Sequence, residues 1–234
     1  MTENPADPVF LDFKCPHCRR SISFPDHRIG LPQECPLCFE VVVVPAHNQE
    51  YGLTLPLPVN TPRLVLRRFA AGDWKDLLEI MSRDQETFRY IDWNQMGEAE
   101  VLDWTEKDRA VSFTQTGVVL NLGIVLRENP KLIGLASLHF LEEDLRQLGF
   151  QIVVHPDYQR QGLGTEAVGG VLHFAFRGLN LHRIATVTDR RNVAACRMLD
   201  KARLRKEGEC LKARFQKGEW TDTVWHACLQ AELR

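Results

Sequence analysis

Residues 152–167 of this 234-residue chain read Ile-Val-Val-His-Pro-Asp-Tyr-Gln-Arg-Gln-Gly-Leu-Gly-Thr-Glu-Ala. An apolar strand pattern ends at Pro156, and a loop with Gly162 and Gly164 then enters a helical pattern. Such a turn aims free backbone N–H groups and the positive end of the helix dipole at one point. The glycines let the backbone approach a phosphate closely, and Thr165 adds a hydroxyl donor. The stretch therefore predicts a site for a phosphate-bearing ligand.

Two common phosphate-binding motifs do not fit this turn. The Walker loop requires a Lys-Ser/Thr pair after its last glycine, and none follows Gly164. The dinucleotide pattern Gly-x-Gly-x-x-Gly fails because Ala167 stands where the third glycine belongs. ATP hydrolysis and a dinucleotide-binding fold are therefore disfavoured.

Strand and helix patterns alternate on both sides of the turn from Thr61 onward. Three consecutive strands before the turn, joined by turn signals, predict an antiparallel meander, and the whole segment predicts a mixed α/β domain. No internal repeat is evident. The predicted strands are 64–69, 117–127, 131–140, 148–155, 182–188, 210–216 and 221–229, and the predicted helices are 73–82, 98–113, 163–177 and 192–203.

The stretch 152–167 resembles the acetyl-coenzyme A signature of the GNAT acyltransferases. Three more stretches, 61–67, 192–204 and 218–222, resemble the RimJ/RimL branch, the N-terminal acetyltransferases of ribosomal proteins. The resemblance spans about residues 61 to 230. It implies the GNAT fold, a mixed and mostly antiparallel sheet flanked by helices, and transfer of an acetyl group from acetyl-CoA to a primary amine.

The resemblance also implies where acetyl-CoA lies. Pantetheine would occupy an opening between the strands at 148–155 and 182–188, and the N–H near Val154 would face the thioester carbonyl during attack. Arg190, Arg191 and Arg197 are near enough in sequence to neutralise the nucleotide phosphates. The implied cofactor-binding residues are Ile152, Val154, Gln159, Arg160, Gln161, Gly162, Leu163, Gly164, Thr165 and Asn192.

The chain departs from the family pattern at two positions. Ala195 stands where the family often has a serine that protonates the leaving thiolate, and Gln147 stands where the branch commonly has a glutamate base. A bulge in the strand could offset the second alignment. The candidates for replacement are His139, Glu142, Glu143 and Cys196, of which His139 is the catalytic candidate because its pKa of about 6.5 suits a base.

The absence of the expected glutamate base affects which acceptor amine is favoured. An α-amine with a pKa of about 7.8 loses its proton at roughly 3.5 kcal/mol less cost than a lysine amine with a pKa of about 10.4. We therefore expect the acceptor to be a peptide or protein N-terminus, covered by the aromatic residues Phe88, Tyr90 and Trp93. The alternative is a catalytically weak CoA-binding sensor or adaptor that acts through its N-terminal module.

That module carries two Cys-x-x-Cys pairs, Cys15/Cys18 and Cys35/Cys38. Their spacing is typical of a four-cysteine zinc site, whereas a redox Cys-x-x-Cys normally comes once. Strand patterns at 9–14 and 40–44 resemble a zinc ribbon over residues 9–46. A proline-rich linker at 47–60 and an acetyltransferase domain at 61–234 complete the predicted organisation.

The sequence does not identify the partner of the ribbon. Such modules contact RNA, DNA or protein, but the basic residues here do not form a sustained run with interleaved aromatics. The sequence favours a docking or stabilising module. The basic and histidine residues in question are Lys14, Arg19, Arg20, His27 and Arg28, and His17 is expected to be a solvated turn residue.

Composition sets the remaining bounds. A formal net charge of −2 gives no global field that attracts nucleic acid or an anionic membrane. The start of the chain has no signal pattern, and no stretch approaches the roughly 18 apolar residues of a spanning helix. With seven cysteines, an odd number, we expect a cytoplasmic protein in which Cys196, Cys210 and Cys228 stay thiols.

Overall fold

A computed structural model describes residues 10–25, 28, 31–44, 55–82, 88–91, 96–111, 113, 117–141 and 146–233. The chain divides into two compact units, Met1–Thr54 and Leu55–Arg234. The second unit takes in residues 55–60 of the predicted linker. Val59–Asn60 (β5) pairs antiparallel with Leu64–Arg67 (β6) and so extends the main sheet by one short strand.

The first unit consists of two small antiparallel hairpins, each with a Cys-x-x-Cys turn at its tip. Phe10–Lys14 and Ser21–Pro25 (β1 and β2) flank the first turn, and Pro32–Glu34 and Val41–Val43 (β3 and β4) flank the second. Strands β2 and β3 are additional to the predicted ones. Both hairpins build the same turn from the sequence Cys-Pro-x-Cys.

The second unit is built on one eight-stranded sheet. Its remaining strands are Val119–Leu126 (β7), Leu132–Phe140 (β8), Gln147–Val154 (β9), Arg183–Asp189 (β10), Arg205–Gln216 (β11) and Glu219–Leu229 (β12). They stand in the order β11-β12-β10-β9-β8-β7-β6-β5. Every neighbouring pair is antiparallel except β9 and β10, which run parallel. The predicted mixed, mostly antiparallel sheet and its central meander are confirmed.

Helices cover both faces of this sheet. Trp74–Ser82 (α1) and Glu98–Arg109 (α2) pack a buried cluster against one face, where Val125 and Val153 contribute from β7 and β9. Leu163–His173 (α3) packs on the other face, where Gly170 lies against Leu66 of β6. Val193–Lys201 (α4) follows β10. Side chains alternate between the two faces along each strand, which is why neighbouring positions face different helices.

Three predicted boundaries moved by four or more residues. Helix α2 ends at Arg109, not at 113, because the N–H of Ala110 turns back to the carbonyls of Lys107 and Asp108. Helix α3 continues after His173 only as a π-helical turn, Phe174–Gly178. Strand β11 begins at Arg205, well before 210. Its charged residues give little strand signal, and its backbone is held by pairing along β12.

Among the described helices, none combines the length and the apolar character that crossing a bilayer requires.

Candidate functional site

The four paired cysteines of the first unit converge on one point. Their Sγ atoms all lie within 4.8 Å of one another, and Cys15 and Cys35 are buried. The Cys15–Cys38 and Cys18–Cys35 sulfur distances are 3.7 and 3.8 Å. These distances are far longer than the roughly 2.0 Å of a disulfide bond. Four thiolates at tetrahedral corners around zinc, each about 2.3 Å from the metal, would lie about 3.8 Å apart. The sulfur positions therefore fit that metal.

The two turns that carry these cysteines have matching backbones. The N–H groups of Cys15 and Cys35 donate to the carbonyls of Arg20 and Glu40, five residues further on in each case, at 2.9 Å. Arg19 and Phe39, each following the second cysteine of its pair, adopt left-handed φ values of 60° and 64°. The two halves of the site are thus built by one local conformation used twice. His17 is not part of the cluster, since its Nε2 lies 3.2 Å from the Val41 carbonyl.

In the second unit, the parallel strands β9 and β10 separate part-way along their length. They are in register at only three positions, the last being Gly149 opposite Ala185, while β9 continues to Val154 and β10 to Asp189. The register of β9 with β8 on its other side is continuous from Leu148 to Val154. A bulge within these residues is therefore ruled out, and the strands form an open fork beyond Gly149.

The glycine turn closes the end of this fork. Arg160 and Gly162 both have left-handed φ values, 57° and 80°, and Gly162 is the N-cap of α3. None of the backbone N–H groups from Arg160 to Thr165 has a hydrogen-bond acceptor within the described residues. Consecutive free N–H donors at a helix N-terminus favour the binding of an anion. The nearby Gln159 side chain donates instead to the Val154 carbonyl, at 2.8 Å.

Two adjoining clefts occupy the fork. The larger, of about 410 Å³, is lined by eight of the ten predicted cofactor-binding residues together with Arg197 and Lys201. The smaller cleft, of about 70 Å³, lies between β9 and β10, and Tyr90 and Arg214 complete its lining. Both clefts share Ile91, Ile152, Asn192, Ala195 and Met198. The eight are Ile152, Val154, Gln159, Arg160, Gly162, Gly164, Thr165 and Asn192.

The other predicted residues lie elsewhere. Leu163 is buried under the turn, and the side chain of Gln161 donates to the Asp157 carbonyl at 2.8 Å. Arg190 lies near Glu209 and Asp222, and Arg191 pairs with Asp189 and Glu219. Of the three arginines expected near the phosphates, only Arg197 lines the cleft. Phe88 belongs to the core, and the predictions for Trp93, Glu142 and Glu143 fall outside the described residues.

Asn192 caps α4, because its Oδ1 accepts a hydrogen bond from the Ala195 N–H at 3.0 Å. This leaves the side-chain amide, rather than its oxygen, as the group available to a ligand. Ala195 lines both clefts, so the position where the family often has a serine does face the fork. Cys196, the neighbouring candidate, does not line either cleft, and burial raises the pKa of its thiol.

His139 lies near the apex of the fork without lining either cleft. On β8 it stands opposite Gly149, and a Cβ at Gly149 would collide with the His139 ring. The ring therefore covers the last β9 residue that pairs with β10. Burial lowers the pKa of this histidine.

Glu166 holds the glycine turn in place, although no motif in the sequence marks it as a site residue. Glu166, in the first turn of α3, accepts from the Thr61 hydroxyl at 2.6 Å and from both the backbone N and the Nε of Arg63 at 2.7 Å. Arg63 in turn donates to the Gln161 carbonyl at 3.1 Å. Burial raises the pKa of Glu166, but the hydrogen bonds from Thr61 and Arg63 outweigh it and the net shift is downward. The only sequence signal was the proximity of Glu166 to the glycines.

The fork, the turn and the clefts together are suited to an elongated nucleotide thioester, and comparison with known proteins agrees. A family model described as "Acetyltransferase (GNAT) domain" matches residues 63–205. The uncharacterized N-acetyltransferases YnaD and YoaA of Bacillus subtilis (strain 168) are 27% and 30% identical over 175 and 174 residues. These alignments cover 74% and 70% of this chain and 98% and 92% of the relatives. Spermidine N(1)-acetyltransferase of Escherichia coli (strain K12) is 30% identical over 91 residues, 39% of this chain and 49% of that protein.

Solved structures show the same fold. A GNAT-family acetyltransferase from Bacillus anthracis superimposes with a TM-score of 0.67 at 24% identity, covering 75% of this chain and 100% of that one. Mycobacterium smegmatis RimJ in complex with CoA-disulfide gives 0.63 at 22% identity, covering 73% and 83%. The chain belongs to the GNAT acetyltransferase family. It is an N-acetyltransferase, and binding of acetyl-CoA is expected from its relatives.

Proposed function

We propose that this enzyme acetylates an α-amino group, that of a peptide or protein N-terminus. One observation carries the proposal. Among the described residues that line the two clefts, Asp189 is the only carboxylate, and Arg191 already binds both of its oxygens at 2.8 to 3.0 Å. Nothing there is placed to extract a proton from a strongly basic amine. An α-amine, whose pKa of about 7.8 leaves a useful neutral fraction at pH 7, needs no such group.

The same inventory argues against a polyamine, the competing acceptor suggested by the relative named spermidine N(1)-acetyltransferase. Arg160, Arg197 and Lys201 line the larger cleft beside the turn, where the phosphates would lie, so the charged residues left for the acceptor are Asp189, which Arg191 binds, and Arg214. The described lining residues thus offer a polycation no unpaired carboxylate, and Arg214 would repel it. RimJ-type specificity for protein N-termini is compatible with this charge pattern.

The cofactor assignments follow from the turn. We assign the pyrophosphate of acetyl-CoA to the six free N–H groups of residues 160–165, and the pantetheine arm to the edge of β9 at Ile152 and Val154 and to Asn192. Bound acetyl-CoA supplies an activated acyl group. A main-chain N–H near Val154 would stabilise the oxygen on which negative charge develops.

His139 is the candidate general base of this proposal. Its ring covers Gly149 at the apex of the fork, and its lowered pKa keeps it neutral, and so able to accept a proton, at pH 7. If His139 acts as the base, kcat/KM of the wild type should fall below about pH 6.5, where the histidine becomes protonated. His139→Gln should abolish this fall. His226→Gln is the matched control, since burial also lowers the pKa of His226, but its Nε2 lies 3.6 Å from an Asp200 carboxylate oxygen and its ring does not cover Gly149.

The first unit is proposed to bind one zinc ion through Cys15, Cys18, Cys35 and Cys38. The sulfur distances of 3.7 and 3.8 Å support this set of ligands. Zinc would supply folding free energy to a unit whose buried core, among the described residues, comprises Phe13, Cys15, Ile22, Cys35, Val42 and Val44.

An acetylation screen tests the proposed acceptor. Purified protein is given acetyl-CoA with an N-terminal peptide, an N-terminally blocked lysine peptide and spermidine, and free CoA is measured. We expect the highest kcat/KM for the α-amine. Faster turnover of the blocked lysine peptide or of spermidine would refute the proposal.

A weakly catalytic CoA sensor is the second candidate, favoured by Ala195 facing both clefts where a thiolate-protonating serine is missing. Calorimetric binding of acetyl-CoA without turnover of any amine in the same screen would select this function over the first.

A further inference from the structure

The smaller cleft carries an arginine that the acetyl-CoA assignment does not use. Arg214 of β11 is partly buried and lines this cleft alone, whereas Arg160, Arg197 and Lys201 line the larger cleft beside the turn. The phosphates of acetyl-CoA therefore have their own cations. Among the described residues, no carboxylate pairs with Arg214. No described carboxylate therefore competes with a ligand for its guanidinium.

An irregularity in β11 gives Arg214 its position. From Cys210 to Arg214 the strand advances four residues, while its partner β12 advances only two, from Thr223 to Thr221. Within this bulge Lys212 has a left-handed φ of 47°. The Thr221 hydroxyl holds the Arg214 carbonyl at 3.3 Å. Bulges beside binding sites commonly redirect a side chain, and this one places Arg214 on the wall of the cleft.

Another part of the cleft lining is fixed to the same strand. Gln216 donates from Nε2 to the Arg89 carbonyl at 3.4 Å, and Lys217 donates to the Phe88 carbonyl. These contacts hold residues 88–91 against the end of β11, so that Tyr90 and Ile91 face the same cleft as Arg214. The arginine thus belongs to a built enclosure of about 70 Å³, beside the fork where the acceptor must approach.

Of the two charged residues that line this enclosure, only Asp189 is paired among the described residues. Its side chain is 3% exposed and is bound by Arg191, which also pairs with Glu219 at 2.7 Å. Burial raises the pKa of the Asp189 carboxyl group, but the hydrogen bonds from Arg191 outweigh burial and the net shift is downward. Arg214 is therefore the charged group of the lining that a ligand can still pair with. A guanidinium in such a place is suited to a bidentate carboxylate ligand.

We infer that Arg214 determines acceptor specificity by binding a carboxylate that lies within the first residue or two of the acceptor amine. The inference rests on the proposed α-amine function and narrows it. Two sources offer the same group: the side chain of an acidic residue near a peptide N-terminus, and the free carboxylate of an amino acid or dipeptide. The contact forms while the amine faces the thioester, so its loss lowers kcat/KM for carboxylate-bearing acceptors in particular.

The test compares matched acceptors with the full-length protein and acetyl-CoA. Ala-Glu-Ala-amide and Ala-Gln-Ala-amide differ in one side-chain charge, and free Ala-Ala and Ala-Ala-amide differ in the terminal carboxylate. For the wild type, we expect at least a roughly tenfold higher kcat/KM for the acid in one of the two pairs, which also identifies the source. Arg214→Gln should remove this preference, and Arg214→Lys should retain part of it.

Lys206→Gln, an exposed position on the same strand that lines neither cleft, is the control and should keep the wild-type ratio. Acetyl-CoA affinity measured by calorimetry should be unchanged in Arg214→Gln, which shows that the fork has folded. Equal turnover within both pairs by the wild type, or a preference that survives Arg214→Gln, would overturn the inference and leave the α-amine function standing. Turnover of spermidine but of neither peptide pair would overturn both.

Discussion

The cysteine cluster and the glycine turn build their sites from different parts of the chain. The first presents four side-chain sulfurs, and the second presents six main-chain N–H groups. The first lies in a unit with a very small core, whereas the second rests on an eight-stranded sheet covered by helices. A site made of side chains can be removed by changing one atom. A site made of backbone depends on conformation and tolerates most changes of side chain.

Removal of a cysteine ligand should give the largest effect. Cys35 is fully buried, and Cys35→Ser replaces a thiolate by a poor zinc ligand. Structural zinc contributes about 10–16 kcal/mol in small zinc modules, more than such a unit could retain without it. We expect loss of bound zinc by native mass spectrometry and loss of amide protection over residues 31–44. A chelator should have the same effect.

Cys210→Ser is the control, because Cys210 is exposed and outside the cluster. Acetyl-CoA affinity should persist in Cys35→Ser, since no cysteine of the cluster lines the clefts. Stoichiometric zinc together with full amide protection in Cys35→Ser would refute the assignment.

A backbone change in the turn should have an intermediate effect. Gly162 has a φ of 80°, which costs a residue with a Cβ about 1–2 kcal/mol. If Gly162→Ala relaxes this φ, the N–H groups beside it no longer converge, and we expect acetyl-CoA to bind at least about tenfold more weakly by calorimetry.

Gly169→Ala, in the same helix, is its control. A Cβ there meets no atom within 4 Å, so we expect unchanged affinity and equal or slightly higher thermal stability. Wild-type affinity in Gly162→Ala would show that side chains, rather than the backbone of the turn, hold the ligand.

The smallest effect is expected at the contact that supports the turn from behind. The pKa of Glu166 is lowered in the fold, so its contribution to stability is complete above the unfolded pKa of about 4.3 and is lost as pH falls through the lower folded pKa. Glu166→Gln should therefore reduce the free energy of unfolding at pH 7, by only about 1 kcal/mol because Arg63 is half exposed. Near pH 3 the reduction should be smaller, because the wild-type carboxylate is then partly protonated.

Urea unfolding at the two pH values measures this difference. Asp103→Asn, which breaks an exposed pair with Lys107 on α2, should change stability little at either pH. If the loss of unfolding free energy in Glu166→Gln is the same at both pH values, packing rather than charge accounts for the stability that Glu166 contributes.

Periodicity and motif spacing predicted most of the elements and both sites. The meander, the helix after the turn and the four-cysteine cluster all follow from local patterns, because a strand alternates its faces and a Cys-x-x-Cys turn positions two sulfurs by itself. The predicted range of β11 is too short because its charged sequence has no strand pattern. The predicted range of α3 is too long because the π-helical turn after it has no distinct sequence signal.

The sequence by itself determined the glycine turn and the Cys-x-x-Cys turns, since each is encoded within a few consecutive residues whose conformation is local. Only the tertiary structure decided which residues line the two clefts. The fold leaves Ala195 facing the fork and pairs Asp189 with Arg191, and a bulge brings Arg214 to a cleft whose other residues lie 15 or more positions away in the chain. Such contacts depend on the pairing of strands distant in sequence, which no local pattern specifies.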